Sequence, residues 1–381
     1  MIIRIAGLLL LGMLAGCSTV SGWFSSGDKT GKEPAKLVEF KQAATFNVRW
    51  HQKIGGSGDY ILQPAITSDA VYAANTKGEL FRLDPATGKQ VWRVDSGFAI
   101  SAGVGVGEGL VLVGGGKGQL AAFAVDGKLL WKTKVSSEVL NVAKIADGIV
   151  VVRTADGRLS GLDTTDGKRL WLYENTVPPL IVRSHAGVAI ERGTIFAGFA
   201  AGKLAAISLG SGVVIWETIV SQPRGNTELE RISDITSSPV LNDEQVCAVA
   251  FQGRVACYGL AQGDLLWSRD LPSDKGITLS HNYLYITNTS GAVLAVDKSS
   301  GSSVWKNDQL LMRQTSAPYA FGNHLIVGDY EGYLHALSRE DGSMAARLKT
   351  DGSAILVTPM ELDGGLLVQT RNGSLYSVTL H

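Results

Sequence analysis

The chain has 381 residues, 45% of them hydrophobic, and its 35 basic and 35 acidic side chains give a formal net charge of zero. It has no basic run, so the electrostatic footprint of a nucleic-acid binder is missing. With 46 glycines against 10 prolines, the composition suits many tight turns between short strands and excludes a collagen-like or disordered chain.

The first residues read as an export signal. Arg4 supplies a short positive start, Ile5 to Leu14 an apolar stretch too short to span a bilayer, and Leu14-Ala15-Gly16-Cys17 follows at once. The last four resemble a lipobox, which implies a signal peptide over 1–16, a lipid on Cys17 and, with Ser18 rather than Asp next, sorting to the outer membrane. Acyl chains there would anchor the protein without a transmembrane helix. Residues 17–45, rich in Ser, Gly, Lys and Glu without an apolar period, read as a flexible tether. Within it, Trp23 and Phe24 are either interfacial anchors or solvated side chains.

From 46 to 381 the chain is repetitive. Gly-x-Leu or Gly-x-Val recurs eight times, at Gly78, Gly118, Gly157, Gly202, Gly253, Gly291, Gly332 and Gly373. A second glycine follows nine or ten residues after seven of these, and four residues later comes Trp92, Trp131, Trp171, Trp216, Trp267 or Trp305, with Ala346 in the seventh repeat. A period near 40 built of short alternating strands and turn glycines predicts a β-propeller with four strands to a blade. Pro64, Pro239, Pro318 and Pro359 mark inner strands, whose free edge faces the channel and tolerates proline.

The eighth repeat ends without an outer strand. FNVRW at 46–50 supplies one, because Trp50 lies one repeat ahead of Trp92. The expected architecture is therefore all-β, an eight-bladed propeller closed by pairing 46–50 with 374–380. The tryptophans are expected to pack between blades, facing small residues, and Ala346 to leave the seventh interface less well filled.

Two connections depart from the repeat. Trp171 to Gly202 spans 31 residues and Trp216 to Gly253 spans 37, and both belong to one face of the ring. The first holds Leu180, Ile181, Val182 and Arg183, which form either an exposed protein-binding hot spot or the start of a buried inner strand. The second holds Glu228, Glu230, Arg231 and Asp234. Further on, Cys247 and Cys257 straddle the turn at Gly253 at facing positions of one blade. In an oxidising compartment they form a disulfide; the alternative is two buried thiols.

Catalytic signals are thin. The A-x-D-x-x-T-G-x-x-x-W pattern resembles the quinoprotein dehydrogenases, which implies pyrroloquinoline quinone and calcium, but no two cysteines are adjacent and no Asp, Glu and Asn cluster stands apart from turn acids such as Asp84, Asp126 and Asp163. The six histidines are scattered without metal-ligand spacing, and neither GVGVGEG (103–109) nor GGGKG (114–118) opens a helix or ends in Gly-Lys-Ser/Thr. The reading is a non-enzyme without a metal or cofactor; a lectin-like propeller would need aromatics clustered at loop tips, and the long loops offer only Tyr173.

GNTELERISDITSSPV (225–240), GDYEGYLHAL (328–337) and the lipobox together resemble the BamB family, the propeller lipoproteins of the outer-membrane β-barrel assembly (BAM) machinery. The resemblance spans the whole mature chain. It implies a scaffold in the BAM complex that faces the periplasm, docks on the POTRA domains of BamA and assists delivery of nascent outer-membrane proteins. It also implies that Leu180, Val182, Arg183 and Asp234 bind the partner, with Val182 where the family usually has Leu and Thr236 where a second acid can stand.

Overall fold

The computed structural model describes residues 33–381, so Cys17, the signal and the aromatics at 23 and 24 lie outside the described residues. Eight antiparallel four-stranded sheets form the blades. Blade 1 consists of Ala65–Ile66, Val71–Ala74, Glu79–Leu83 and Gln90–Asp95, in that order from inner to outer strand. Blades 2 to 7 follow in chain order, their inner strands starting at Gly105, Lys144, Val188, Val240, Ile277 and Tyr319. Blade 8 takes Met360–Leu362, Gly365–Gln369 and Ser374–Leu380 from the C-terminal end, and Phe46–Lys53 as its outer strand. That last pairing runs from Phe46↔Leu380 to Lys53↔Ser374, so the ring closes as expected.

The second and third strands carry near-continuous apolar runs because neighbouring blades cover both of their faces. Val71–Ala74 and Leu110–Gly114 are buried at every position. The repeat's tryptophan joins one blade to the next. Trp50, Trp92, Trp131, Trp171, Trp216, Trp267 and Trp305 each donate Nε1–H to a turn carbonyl of the following blade, at 2.7–3.1 Å. Each ring lies over the next blade's turn glycine. A Cβ on Gly88, at φ +68°, would come within 2.4 Å of the Trp50 ring. The glycine is thus required twice, for its left-handed backbone and for the close approach of the indole.

A bulge interrupts the pairing of third and outer strands beside each of these positions, as between Gly161 and Leu162 opposite Trp171, and the local twist it adds aims the indole at the neighbour. Facing the tryptophans are Gly161, Ala122, Ala206 and Ala295, as expected, but also Arg82, Cys257 and Ser377.

Two expectations need correcting. Ala346 is fully buried in a cluster that includes Ala44 and Phe46, so the entering chain occupies the seventh interface and no underfilled gap results. Residues 35–45, assigned by composition to the tether, lie against blade 7: Ala35 N–H donates to Leu311 O, and the Ala43 and Ala44 amides to Ala345 O.

A central channel of about 970 Å³ is lined by the inner strands of seven blades and, at blade 7, by residues 314–317 leading into its inner strand. Outer-to-inner connections share one rim of the ring, here the loop face. Contacts run around it from Arg313 to Tyr330, Asp329 to Ile355, Ala354 to Arg371, and Arg371 to Gly58. The turns between third and outer strands form the opposite face.

Candidate protein-docking surface

The long connections flank blade 4. One joins the outer strand Arg169–Tyr173 to the inner strand Val188–Glu191; the other joins Val214–Ile219 to Val240–Leu241. Leu180 to Val182 precede the inner strand, and Leu180 is 41% exposed, which removes the buried-strand alternative. Ile181 and Val182 are half-buried.

Arg183 is half exposed. Its Nε and Nη2 both donate to Glu138 Oε2, at 3.1 and 2.7 Å, and its guanidinium stands 5.4 Å from the centre of the Tyr60 ring. Hydrogen bonding to Glu138 raises its pKa further above the ordinary arginine value. The fork is therefore held in place by Glu138 and Tyr60, residues from two other connections.

Asp234 behaves differently. It is only 5% exposed, so it does not sit at a solvated rim. Its Oδ2 accepts Val182 N–H at 2.7 Å and its Oδ1 accepts Ala201 N–H at 3.0 Å, while its backbone carbonyl accepts Phe251 N–H at 2.9 Å. One carboxylate thus ties the Leu180 segment to the second long connection and to the turn at 199–202. Arg153 lies nearby, donating to Ala186 O and stacked on Phe199. Burial lowers its pKa to about 10, against the opposing charge of Asp234, and it stays protonated at neutral pH. Thr236 is buried and lines the channel wall.

The tip of the second connection is preorganised as well. Glu230 accepts the Asn226 and Thr227 amides while Thr227 Oγ1 accepts Glu230 N–H, a reciprocal capping box over a single helical turn. It presents Leu229 at 66% exposure. Tyr60, Glu138 and Arg153 were not singled out from sequence, because all three lie in stretches of ordinary repeat length.

Cys247 and Cys257 are register partners on the second and third strands of blade 5 and are joined by a disulfide, fully buried beside Trp267. Among the described residues, no three of His, Cys, Asp and Glu converge into a cluster able to hold a metal ion, and no helix is long and apolar enough to cross a membrane.

A family model described as outer membrane protein assembly factor BamB matches residues 76–307. The chain belongs to the BamB family. The outer membrane protein assembly factor BamB of Nitrosomonas eutropha is 42% identical over 99% of this chain and 95% of its own length. The crystal structure of BamB from Moraxella catarrhalis superposes with a TM-score of 0.81 at 25% identity, covering 88% of this chain and 99% of that one. The quinohemoprotein alcohol dehydrogenase of Comamonas testosteroni reaches a TM-score of 0.73 at 13% identity, covering 87% of this chain and 76% of that one, a likeness of fold alone. Membership of the BamB family places this chain among outer-membrane protein assembly factors.

Proposed function

We propose that the protein is a non-catalytic scaffold of the BAM complex, anchored to the outer membrane by a lipid on Cys17 after removal of residues 1–16 and facing the periplasm. Its loop face docks on the POTRA domains of BamA, and in that position it assists delivery of nascent outer-membrane proteins. The observation that carries this reading is Leu180, exposed beside a half-exposed Arg183, on a segment fixed from below by Asp234. An aliphatic contact next to a planar donor fork suits a protein surface bearing an apolar pocket with a carboxylate at its edge. Val182 contributes through its backbone bond to Asp234 and its half-buried side chain.

The test is co-purification of BamA from solubilised envelopes. Arg183→Glu removes a partly exposed ion pair with Glu138, sets two half-exposed carboxylates near each other and loses the Tyr60 contact, at a cost to folding of about 1 kcal/mol. Truncating one member of a desolvated pair at an interface costs about 2 to 5 kcal/mol of binding. BamA should therefore be lost from the pull-down while the melting temperature holds; retention of BamA by the folded variant would move the docking surface elsewhere.

A further inference from the structure

We infer that residues 35–45 form a strap that carries the membrane tether across the outer edge of blade 7, so that the chain leaves the ring from the loop face, the face that bears Leu180 and Arg183. The inference rests on the lipid at Cys17 for its membrane consequence and on the described contacts for the strap itself.

The first strand of the ring starts at Phe46 on the turn face, where Thr45 exchanges backbone hydrogen bonds with His381. A chain that simply continued outward from Phe46 would depart there. Residues 35–45 instead run back along the outer strand Met344–Lys349. Ala43 and Ala44 donate to Ala345 near its start, and Val38 O accepts from Arg347 Nη1 at 3.1 Å further along. Ala35 reaches the connection beyond it, donating to Leu311 O and accepting from Arg313 Nη1, both at 2.9 Å. That connection lies on the loop face. The outer strand of blade 7 is correspondingly buried over its first half, whereas that of blade 4 is exposed at alternate positions and at both leading residues.

A buried polar cluster grips the strap. Arg313 is 2% exposed, with Nε on Asp329 Oδ2 at 2.8 Å and Nη2 on Glu331. The same Asp329 oxygen bonds His335 Nε2 at 2.9 Å, and Arg347 Nε meets His335 Nδ1 at 3.3 Å. An arginine can only donate, so Nδ1 accepts and Nε2–H donates to Asp329, which fixes the neutral tautomer. Both arginines are thus oriented by groups of the ring, and each spends one free nitrogen on a strap carbonyl. Phe40 completes the grip, its ring 4.9 Å from the Arg347 guanidinium and packed on the cluster of Trp305, Leu337 and Met344.

The strap changes reach and direction. From Cys17 to Ala35 the chain can extend to about 60 Å, against about 100 Å if it were free to Phe46. The shorter lead starts on the loop face, so the path from the lipid to that face is shorter than the path to the turn face by about a strand length, roughly 17 to 20 Å.

The experiment uses the full lipidated chain in liposomes containing an acceptor-labelled lipid, with a donor dye on Ser290→Cys at the loop face of blade 6 or on Ser299→Cys at its turn face. The bonded native cysteines leave one thiol to label. Energy transfer should be higher from position 290, and Phe40→Ser should shrink the difference. Hydrogen exchange on the same samples should show the 35–45 peptide at least tenfold slower than free chain, a protection lost in Phe40→Ser with the blades unaffected. Equal or greater transfer from 299, or free exchange across 35–45 in the unsubstituted protein, overturns the strap. Failure to float with liposomes while 35–45 stays protected overturns the lipid on Cys17 instead.

Discussion

Asp234→Ala separates two ways in which a carboxylate can serve a docking surface. The native carboxylate accepts two backbone amides, Val182 N–H and Ala201 N–H, at a site only 5% exposed. Alanine leaves both half-buried donors without that acceptor, and about 1 to 3 kcal/mol for each fully buried group left unpaired is the upper bound. Arg153 also loses the negative charge that opposes its desolvation. Folding stability should therefore fall by no more than roughly 2 to 6 kcal/mol, with local relaxation favouring the lower part of that range. Urea unfolding monitored by tryptophan fluorescence measures the loss, and hydrogen exchange should show faster amides at Val182 and Ala201 before global unfolding. Binding of BamA should weaken as a consequence, because Leu180 and Arg183 lose their fixed mount. If Asp234→Ala kept its urea midpoint and its protected amides yet lost BamA, the carboxylate would be touching the partner, and the positioning role would be wrong.

Other expectations follow from the same geometry. Peptide mass spectrometry under non-reducing conditions should recover Cys247 linked to Cys257, and Cys247→Ala with Cys257→Ala should cost about 2 to 3 kcal/mol for a loop of this length; two alkylatable thiols in the denatured, unreduced protein would contradict the bond. Burial holds His335 below the ordinary histidine value despite the pull of Asp329, so below about pH 6.5 the unfolded chain takes up a proton that the folded one refuses, and stability should fall as pH drops from there toward the folded value. His185 and His324 are depressed by burial in the same direction, so His335→Gln should flatten the slope without abolishing it, and an unchanged slope would exclude His335 as a contributor. Ala346→Trp restores the repeat's residue but drives an indole into the cluster holding Ala44 and Phe46, so it should destabilise by about 1 to 3 kcal/mol where repeat logic alone expects a gain, and a raised melting temperature would refute that packing.

The ring was legible in the sequence because its residues do local jobs that recur. Each turn glycine meets the same two demands, a left-handed backbone and an indole overhead, and each tryptophan reaches the same carbonyl of the next blade. Seven repetitions turn a weak signal into an architecture, and closure followed by counting which strand the last repeat lacked. Ala346 shows the limit of that logic. Its substitution is a departure in sequence, yet what fills the space comes from Ala44 and Phe46, about 300 residues away along the chain, where no spacing connects them.

The candidate surface was legible in part, for a related reason. Length anomalies exposed the two long connections, and with them Leu180 and Arg183, because an insertion in a repeat must leave the blade. What holds those residues in place could not be read in that way. Glu138 and Tyr60 sit in stretches that look ordinary, and only the curvature of the ring brings them to Arg183. The BamB-family resemblance implied Asp234 only as a partner contact and gave no sign of its burial, whereas the fold buries it and occupies both of its oxygens with backbone amides. The strap is the extreme case: residues 35–45 have the composition of a linker, and the arginines that fasten them, Arg313 and Arg347, lie at the far end of the sequence. A propeller closed by its own termini brings such distant segments together, so on this scaffold the blades follow from the repeat while the mounting of the candidate face depends on contacts that only ring closure creates.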